Sequence, residues 1–391
     1  MILRALPPVG LPITTGDILA GLASVRRGAA ALEDFREEIR RCFAVRHVVL
    51  ASSGRAALSI LLQGLHSLAP DRRIVALPAF TSFSVPSAVV NAGLRVALYD
   101  LDPDTLSPVP ESLARVVNRR TLAVVVCHLY GYLADLDVVR EITTPCGVTL
   151  IDDAAQAMGA LFRGKPAGTC GDAGIYSLGR GKNINAVAGG IIVTDREELT
   201  GALARIAPAD KREGIAGLLL KALLLSALMR PSFYWFPRSM PALNIGASIY
   251  NPDFPLAPLT PFQAGIAGRM LARLPEITRA RRNLARLYRE CLGGCAGISP
   301  PRPVTATDPV YLRFPLLMDG EAPLQEAPEL GIVRSYPEPL NRIEALYPHL
   351  VNGEELFPGA RRLADRLLTL PTHRFVTRRD RESIAAIFST E

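Results

Sequence analysis

The 391 residues exceed what one hydrophobic core usually serves, so the chain is expected to hold two domains, or a large domain with a smaller appendage. With 49% apolar and 21% charged residues it reads as a folded enzyme, which excludes a disordered or fibrous chain. A net charge of +7 and a pI near 9.2 favour anionic small molecules or an anionic surface, but the basic residues are dispersed and lack interleaved aromatics, which speaks against nucleic acid.

The segment Met1 to Pro8 has no apolar stretch of signal-peptide length, and Pro7-Pro8 would break one, so a cytoplasmic location is expected. Strand-length apolar runs then alternate with helical patterns, as in a mostly parallel sheet wrapped by helices. Arg46 to Ala51 reads as a strand, and Ser53-Gly54 opens a helix over Arg55 to Leu62. Ile74 to Leu77 is a second strand, closed by Pro78 ahead of a helix around Val85 to Asn91, and Arg95 to Tyr99 is a third, ending in the acidic turn Asp100 to Asp104. Further strands are expected at Ala123 to Cys127, Val148 to Asp152, Gly174 to Leu178 and Gly190 to Thr194. The character changes near Pro261, where a long basic helix (Ile277 to Tyr288) and proline-rich connections begin. Strands near Val310 to Phe314 and a final helix over Ala360 to Leu368, closed by Leu370-Pro371-Thr372-His373, complete a smaller C-terminal α+β domain over 256–391, after a large domain over 1–255. The six cysteines show no metal spacing beyond one loose pair, Cys291 and Cys295, so free thiols and no metal are expected.

Three features carry chemistry. Lys182 follows Ser177 through the turn Leu178-Gly179-Arg180-Gly181, where glycines allow close backbone approach. Asp152-Asp153 ends an apolar strand, where α/β sheets place their ligands, and Gln156 stands three residues on. Ser53-Gly54-Arg55 links a strand to a helix, and the amides of a helix N-terminus attract phosphate. A lysine that bonds a carbonyl cofactor needs an acid at the cofactor's ring nitrogen and an anchor for its phosphate, so together these read as a pyridoxal phosphate site. Lys182 is the catalytic lysine, Asp153 the acid, and Gln156 a contact to the ring or its phenolic oxygen. Each has an ordinary structural reading as well: a serine cap, an aspartate capping the next turn, a surface glutamine, a solvated lysine. Arg55 tilts the balance, because a cation in a helix's first turn opposes the dipole unless an anion sits there.

These residues resemble the DegT/StrS sugar aminotransferases, of the aspartate aminotransferase fold type I. The resemblance rests on Asp152 to Ala157, Gly164 to Thr169, Gly171-Asp172, Ser177 with Lys182, and Gly189-Gly190. Asp34 to Glu38, Ser53-Gly54 with Ala57-Leu58, Pro78 to Thr81, His128 to Gly131, Gln263-Ala264 and Leu370 to His373 extend it over nearly the whole chain. It implies the fold-type-I PLP transferase architecture and a homodimer with active sites at the subunit interface. Lys182 is then the cofactor-binding lysine and proton shuttle, and Ser177 joins the turn at Ser53, Gly54 and Arg55 in holding the phosphate. The aromatic or small residues around Phe80 to Phe83 are expected near the ring, with Phe80 or Phe83 stacking on it. The implied reaction carries an amino group from a donor, glutamate, to a keto sugar or related carbonyl compound, nucleotide- or lipid-linked. Relatives with histidine at the lysine position catalyse dehydration, and a dehydratase, an epimerase or a non-catalytic regulator stand as alternatives that Lys182 argues against. The chain departs from the family pattern at Arg55, where threonine is usual, at Ser82, often aromatic, and at Leu256 and Pro258, where the family has asparagine and arginine.

One stretch is foreign to that pattern. Gly214 to Met229 is long and greasy but too short to span a bilayer; Lys211, Arg212, Arg230 and Arg238 flank it, and Phe233-Tyr234-Trp235-Phe236 follows. Peripheral membrane contact through 214–238 and a helix buried at a dimer interface both account for it.

Overall fold

The computed structural model describes residues 4–206, 214–239, 249–320, 324 and 326–389. Lys211 and Arg212 lie outside the described residues.

Seven strands form the central sheet: β1 (His47–Ala51), β2 (Ile74–Pro78), β3 (Arg95–Tyr99), β4 (Thr121–Cys127), β5 (Thr149–Asp153), β6 (Ala173–Ser177) and β7 (Gly190–Thr194). Their order across the sheet is β1-β7-β6-β5-β4-β2-β3, and only β7 runs against its neighbours. This is the mostly parallel mixed sheet expected, and each strand expected in it lies within a residue or two of its place, whereas the strand expected near Val310 to Phe314 is Arg313–Met318. β4 is buried at every residue, as an unbroken apolar run predicts for a strand covered on both faces. The helix Gly54–Leu68 lies against the sheet, its buried face drawn from Ala57, Leu58, Leu61, Leu62 and Leu65. Since β1, β2, β4, β5 and β6 point the same way, their carboxyl ends share one edge, the edge at which open α/β sheets bind ligands.

A second, three-stranded antiparallel sheet joins Ile298–Ser299, Arg313–Met318 and Leu367–Pro371. Here the reading of one helix over Ala360 to Leu368 is corrected. The helix is Pro358–Arg366, and Leu367 onward turns into a strand because Leu367 to Pro371 pair residue by residue with Leu317 to Arg313. The chain's last helix is Arg378–Ser389. The six cysteines are free.

The two sheets are stitched by polar groups far apart in sequence. The buried carboxylate of Asp100, just past β3, accepts from the amides of Leu101 (3.0 Å), Gly359 (2.8 Å) and Ala360 (2.7 Å), and so caps the helix Pro358–Arg366. Arg4 donates to both carboxylate oxygens of Asp380, tying the start of the chain to its last helix. Stripping a buried cap leaves amides without partners, so Asp100→Ala is expected to lower unfolding free energy by about 1–3 kcal/mol. Urea denaturation checks this; an unchanged midpoint would show the cap to be idle.

Candidate active site

A cavity of about 200 Å³ opens at the carboxyl edge of the sheet. The ends of β4, β5 and β6 bring Cys127, Asp153 and Ser177 to its wall, the turn after β1 brings Ser53, Gly54 and Arg55, and the loop after β6 brings Lys182. Gln156, His128, Thr81, Ser82 and Ser84 complete its polar lining. Seven of the nine residues expected at the site therefore meet in one place.

The phosphate end depends on missing side chains. Gly190 pairs with Ala51 on one side and Ser177 on the other, and a Cβ on it would lie 2.2 Å from the carbonyl oxygen of Ser53. A Cβ on Gly54 would lie 2.8 Å from Cβ of Ser177 and 3.0 Å from its Oγ. The gap between the helix N-terminus and Ser177 is thus a cradle that a single methyl group would fill. Ser53 caps the helix, its Oγ accepting from the amide of Ala56 (3.1 Å), while the amides of Gly54 and Arg55 belong to the first turn, where no intrahelical acceptor exists. Arg55 stacks its guanidinium over the ring of Phe254, 4.6 Å from the centroid, and burial lowers its pKa with no anion offsetting the shift. Hydroxyl, amides and guanidinium fit the phosphate of the expected cofactor.

The other end holds two buried titratable groups, Asp153 and Lys182. Asp153 accepts from the amide of Ala155 (2.9 Å) and, on its other oxygen, from the thiol of Cys127 (3.5 Å). Burial raises its pKa, and the neighbouring Lys182 pulls the other way. The pKa of Lys182 is lowered, burial being the main cause, with Asp153 and then Cys127 opposing. Each group costs free energy to charge alone in this surrounding, and each lightens that cost for the other. Asp152, next door, is spent on architecture. One oxygen accepts from the amides of Gly168 (2.8 Å) and Cys170 (3.0 Å), and the other lies 2.8 Å from Nε2 of His128, off the hydrogen-bond axis. His128 in turn accepts at Nδ1 from the amide of Ala134 (3.1 Å), which leaves its ring proton on Nε2, toward Asp152. Of the two aspartates, only Asp153 lines the cavity.

Gln156 is braced from both sides: its Oε1 accepts from the amide of Tyr130 (3.1 Å) and its Nε2 donates to the hydroxyl of Tyr336 (3.0 Å). Phe80 and Phe83, expected beside the ring, do not line the cavity. Phe80 is buried in the core with its ring edge-on to Tyr336 (centroids 5.3 Å apart), and Phe83 sits at the start of the helix Ser84–Asn91. The wall they leave is formed by Thr81, Ser82, Ser84 and Val85. Sequence reasoning missed Cys127 as a wall residue; its signal is the strand register that sets Cys127 opposite Asp153. A wider open cleft of about 520 Å³, between the helices Thr15–Arg27 and Pro261–Leu271, carries no lysine or thiol, and the carboxylate of Asp34 on its rim pairs with Arg27.

Residues 23–211 and 257–389 match the profile of the DegT/DnrJ/EryC1/StrS aminotransferase family. The chain belongs to this family. Its members depend on pyridoxal phosphate, and this DegT/StrS chain is an enzyme of the aminotransferase class. It is 26% identical over 263 residues to a GDP-perosamine synthase of Vibrio cholerae, covering 67% of this chain and 63% of that protein. It is 28% identical over 332 residues to a pleiotropic regulatory protein of Geobacillus stearothermophilus, covering 83% and 80%. The fold is that of the sugar aminotransferase CalS13 from Micromonospora echinospora, with a TM-score of 0.77 at 20% identity over 100% of both chains. The family match breaks between 211 and 257, which sets the greasy stretch outside the common DegT/StrS pattern.

Two outcomes test this geometry. Gly54→Ala is expected to weaken binding of pyridoxal phosphate about tenfold or more, an overpacking cost of about 1–3 kcal/mol, without unfolding the protein; equilibrium dialysis and a thermal melt report the two halves. In the cofactor-free protein, Lys182 should be acylated with a pH midpoint below the ordinary lysine value of 10.5. The sign for stability follows: between the lowered folded pKa and the unfolded value the unfolded chain binds the extra proton, so this lysine's contribution to stability rises with pH through that window. A midpoint at or above the ordinary value would contradict the desolvated setting.

Proposed function

We propose that this protein is a pyridoxal phosphate-dependent aminotransferase that moves an amino group from glutamate to a keto sugar or related carbonyl acceptor, nucleotide- or lipid-linked. The observation that carries the reading is the meeting of Lys182 and Asp153 in one desolvated cavity whose far end is the Gly54–Ser177 cradle. The sugar-processing names of the Vibrio relative and of CalS13 support the acceptor class.

When bound, pyridoxal phosphate supplies an aldehyde for the donor's amine and a ring that withdraws electrons from the donor's Cα. The residues do the rest. The amides of Gly54 and Arg55 with the hydroxyl of Ser177 hold the phosphate, and the guanidinium of Arg55 adds a charge. Asp153, on the cavity wall, would pair its carboxylate with the cofactor's ring nitrogen and keep that nitrogen protonated. Lys182, with its pKa lowered by burial, would be the base that takes the proton from Cα of the donor and gives it up again to complete the transfer. On the acceptor ketone the same lysine runs the transfer in reverse. Gln156, held by Tyr130 and Tyr336, keeps its amide fixed against the ring.

The enzyme works as a homodimer with a large cofactor-binding domain over 1–255 and a small one over 256–391, in the cytoplasm, touching a membrane through 214–238. No helix among the described residues is long and apolar enough to cross one.

Glutamate added to the loaded enzyme should yield stoichiometric 2-oxoglutarate with a matching change in cofactor absorbance, and no further product until a ketone is supplied. Lys182→Ala should slow this half-reaction by about 10²–10⁴-fold, the range for losing a positioned proton-transfer group. Borohydride reduction and peptide mapping should place the cofactor mass on Lys182 in the wild type only. An adduct elsewhere, or glutamate consumed without 2-oxoglutarate, would sink the reading.

A further inference from the structure

Arg281, in the middle of the helix Leu274–Leu292, is 2% exposed and holds a charge to which no acid is paired among the described residues. Its Nη1 donates to the carbonyl of Leu312 (2.9 Å) and to the hydroxyl of Thr372 (3.0 Å). Its Nε is buried without a hydrogen bond, and Nη2 makes none to the described residues. Burial alone pushes the pKa of this guanidinium down to about 10, with no carboxylate near enough to raise it again. Buried charges in folded proteins are ordinarily paired, so an uncompensated one marks a place for an anion.

Arg281 also lines a cavity of about 90 Å³, the room of about three waters, between the segment 10–14, its own helix and 372–374. The other polar groups on that wall are already engaged. Thr14 donates to Asp17 (2.7 Å), Arg273 pairs with the same carboxylate (2.9 Å), and Arg374 stacks on the ring of Phe375. His373 donates from Nε2 to the carbonyl of Pro7 (2.7 Å) and accepts at Nδ1 from the amide of Phe375 (3.3 Å), which keeps its ring neutral. Glu276, on the rim, is exposed and forms no ion pair with Arg281. What remains is apolar: Leu11, Pro12, Ile277 and Ala280. The free Nε–Nη2 edge of a guanidinium matches the two oxygens of a carboxylate, and the apolar wall suits a short carbon chain behind them.

We propose that this cavity is a second ligand site, sharing no lining residue with the one at Lys182, and that it takes a small organic carboxylate. The oxygens lie on the Nε–Nη2 edge of Arg281 and the chain against Leu11, Pro12 and Ile277.

The cofactor-loaded enzyme is titrated with sodium propionate and, at matched ionic strength, with propionamide, which has nearly the same shape and no charge. Propionate should raise the thermal midpoint by about 2–4 °C in a saturable way, and propionamide should not. Cofactor absorbance should stay fixed throughout, since the acid does not enter the site at Lys182. Ala280→Leu fills the cavity while leaving the bonds of Arg281 in place, and should weaken propionate binding about tenfold or more. Arg281→Met should abolish the response; where that variant fails to fold, the result with Ala280→Leu decides. No shift with propionate, an equal shift with propionamide, a response that survives Ala280→Leu, or a change in cofactor absorbance overturns the proposal. The glutamate half-reaction should run unchanged in Ala280→Leu, so failure of this site and failure of the aminotransferase reading are told apart.

Discussion

Three pieces of backbone crowd together where β1, β6 and β7 meet, and they fit only because positions 54 and 190 carry no side chain. With Gly190 between Ala51 and Ser177, the carbonyl of Ser53 comes close enough that any Cβ there would collide with it. That approach starts the helix Gly54–Leu68 at the sheet's edge, so its unpaired first-turn amides face the ends of the strands and not bulk solvent. The remainder of the site is arranged around that fixed point: Ser177 belongs to the strand against which the turn packs, and Lys182 belongs to the loop leaving that strand.

The electrostatics follow from the same packing. A site closed tightly enough to hold a phosphate is also closed enough to strip water from Asp153 and Lys182, which shifts the carboxyl up and the amine down. Each shift is toward the neutral form, and each group lowers the other's cost of charging. Asp152, one residue away, sits in an equally buried place but is met by two backbone amides and His128, so it anchors loops and takes no part in the cavity. Adjacent identical residues thus divide into a structural and a chemical partner by which way the strand turns each of them.

What the chain discloses in advance depends on how local the signal is. Lys182, Gln156, Asp153, Ser177 and the turn Ser53 to Arg55 are legible because glycine-rich turns and strand ends announce themselves within a few residues. Phe80 and Phe83 stand off the cavity wall that Thr81 and Ser82 of the same segment form; the segment is irregular, with no period to say which way a ring points, and packing against Tyr336, far along the chain, holds Phe80 in the core. Cys127 escapes notice for the reverse reason: its meaning comes from the register that sets it opposite Asp153. Leu367 to Pro371 looks like the tail of a helix, and only pairing with Arg313 to Leu317 makes it a strand. In each case a partner distant in sequence overrode the local preference.

The cap that Asp100 supplies to the helix Pro358–Arg366 bears on how the polypeptide matures. All seven strands of the main sheet have been made by residue 194, yet the amides awaiting that carboxylate are made far later. The closing contacts therefore form between segments that lie hundreds of positions apart, the kind of pairing that slows folding most. The helix Pro358–Arg366 thus gains its cap only when the last part of the chain meets an acid made 259 positions before Gly359.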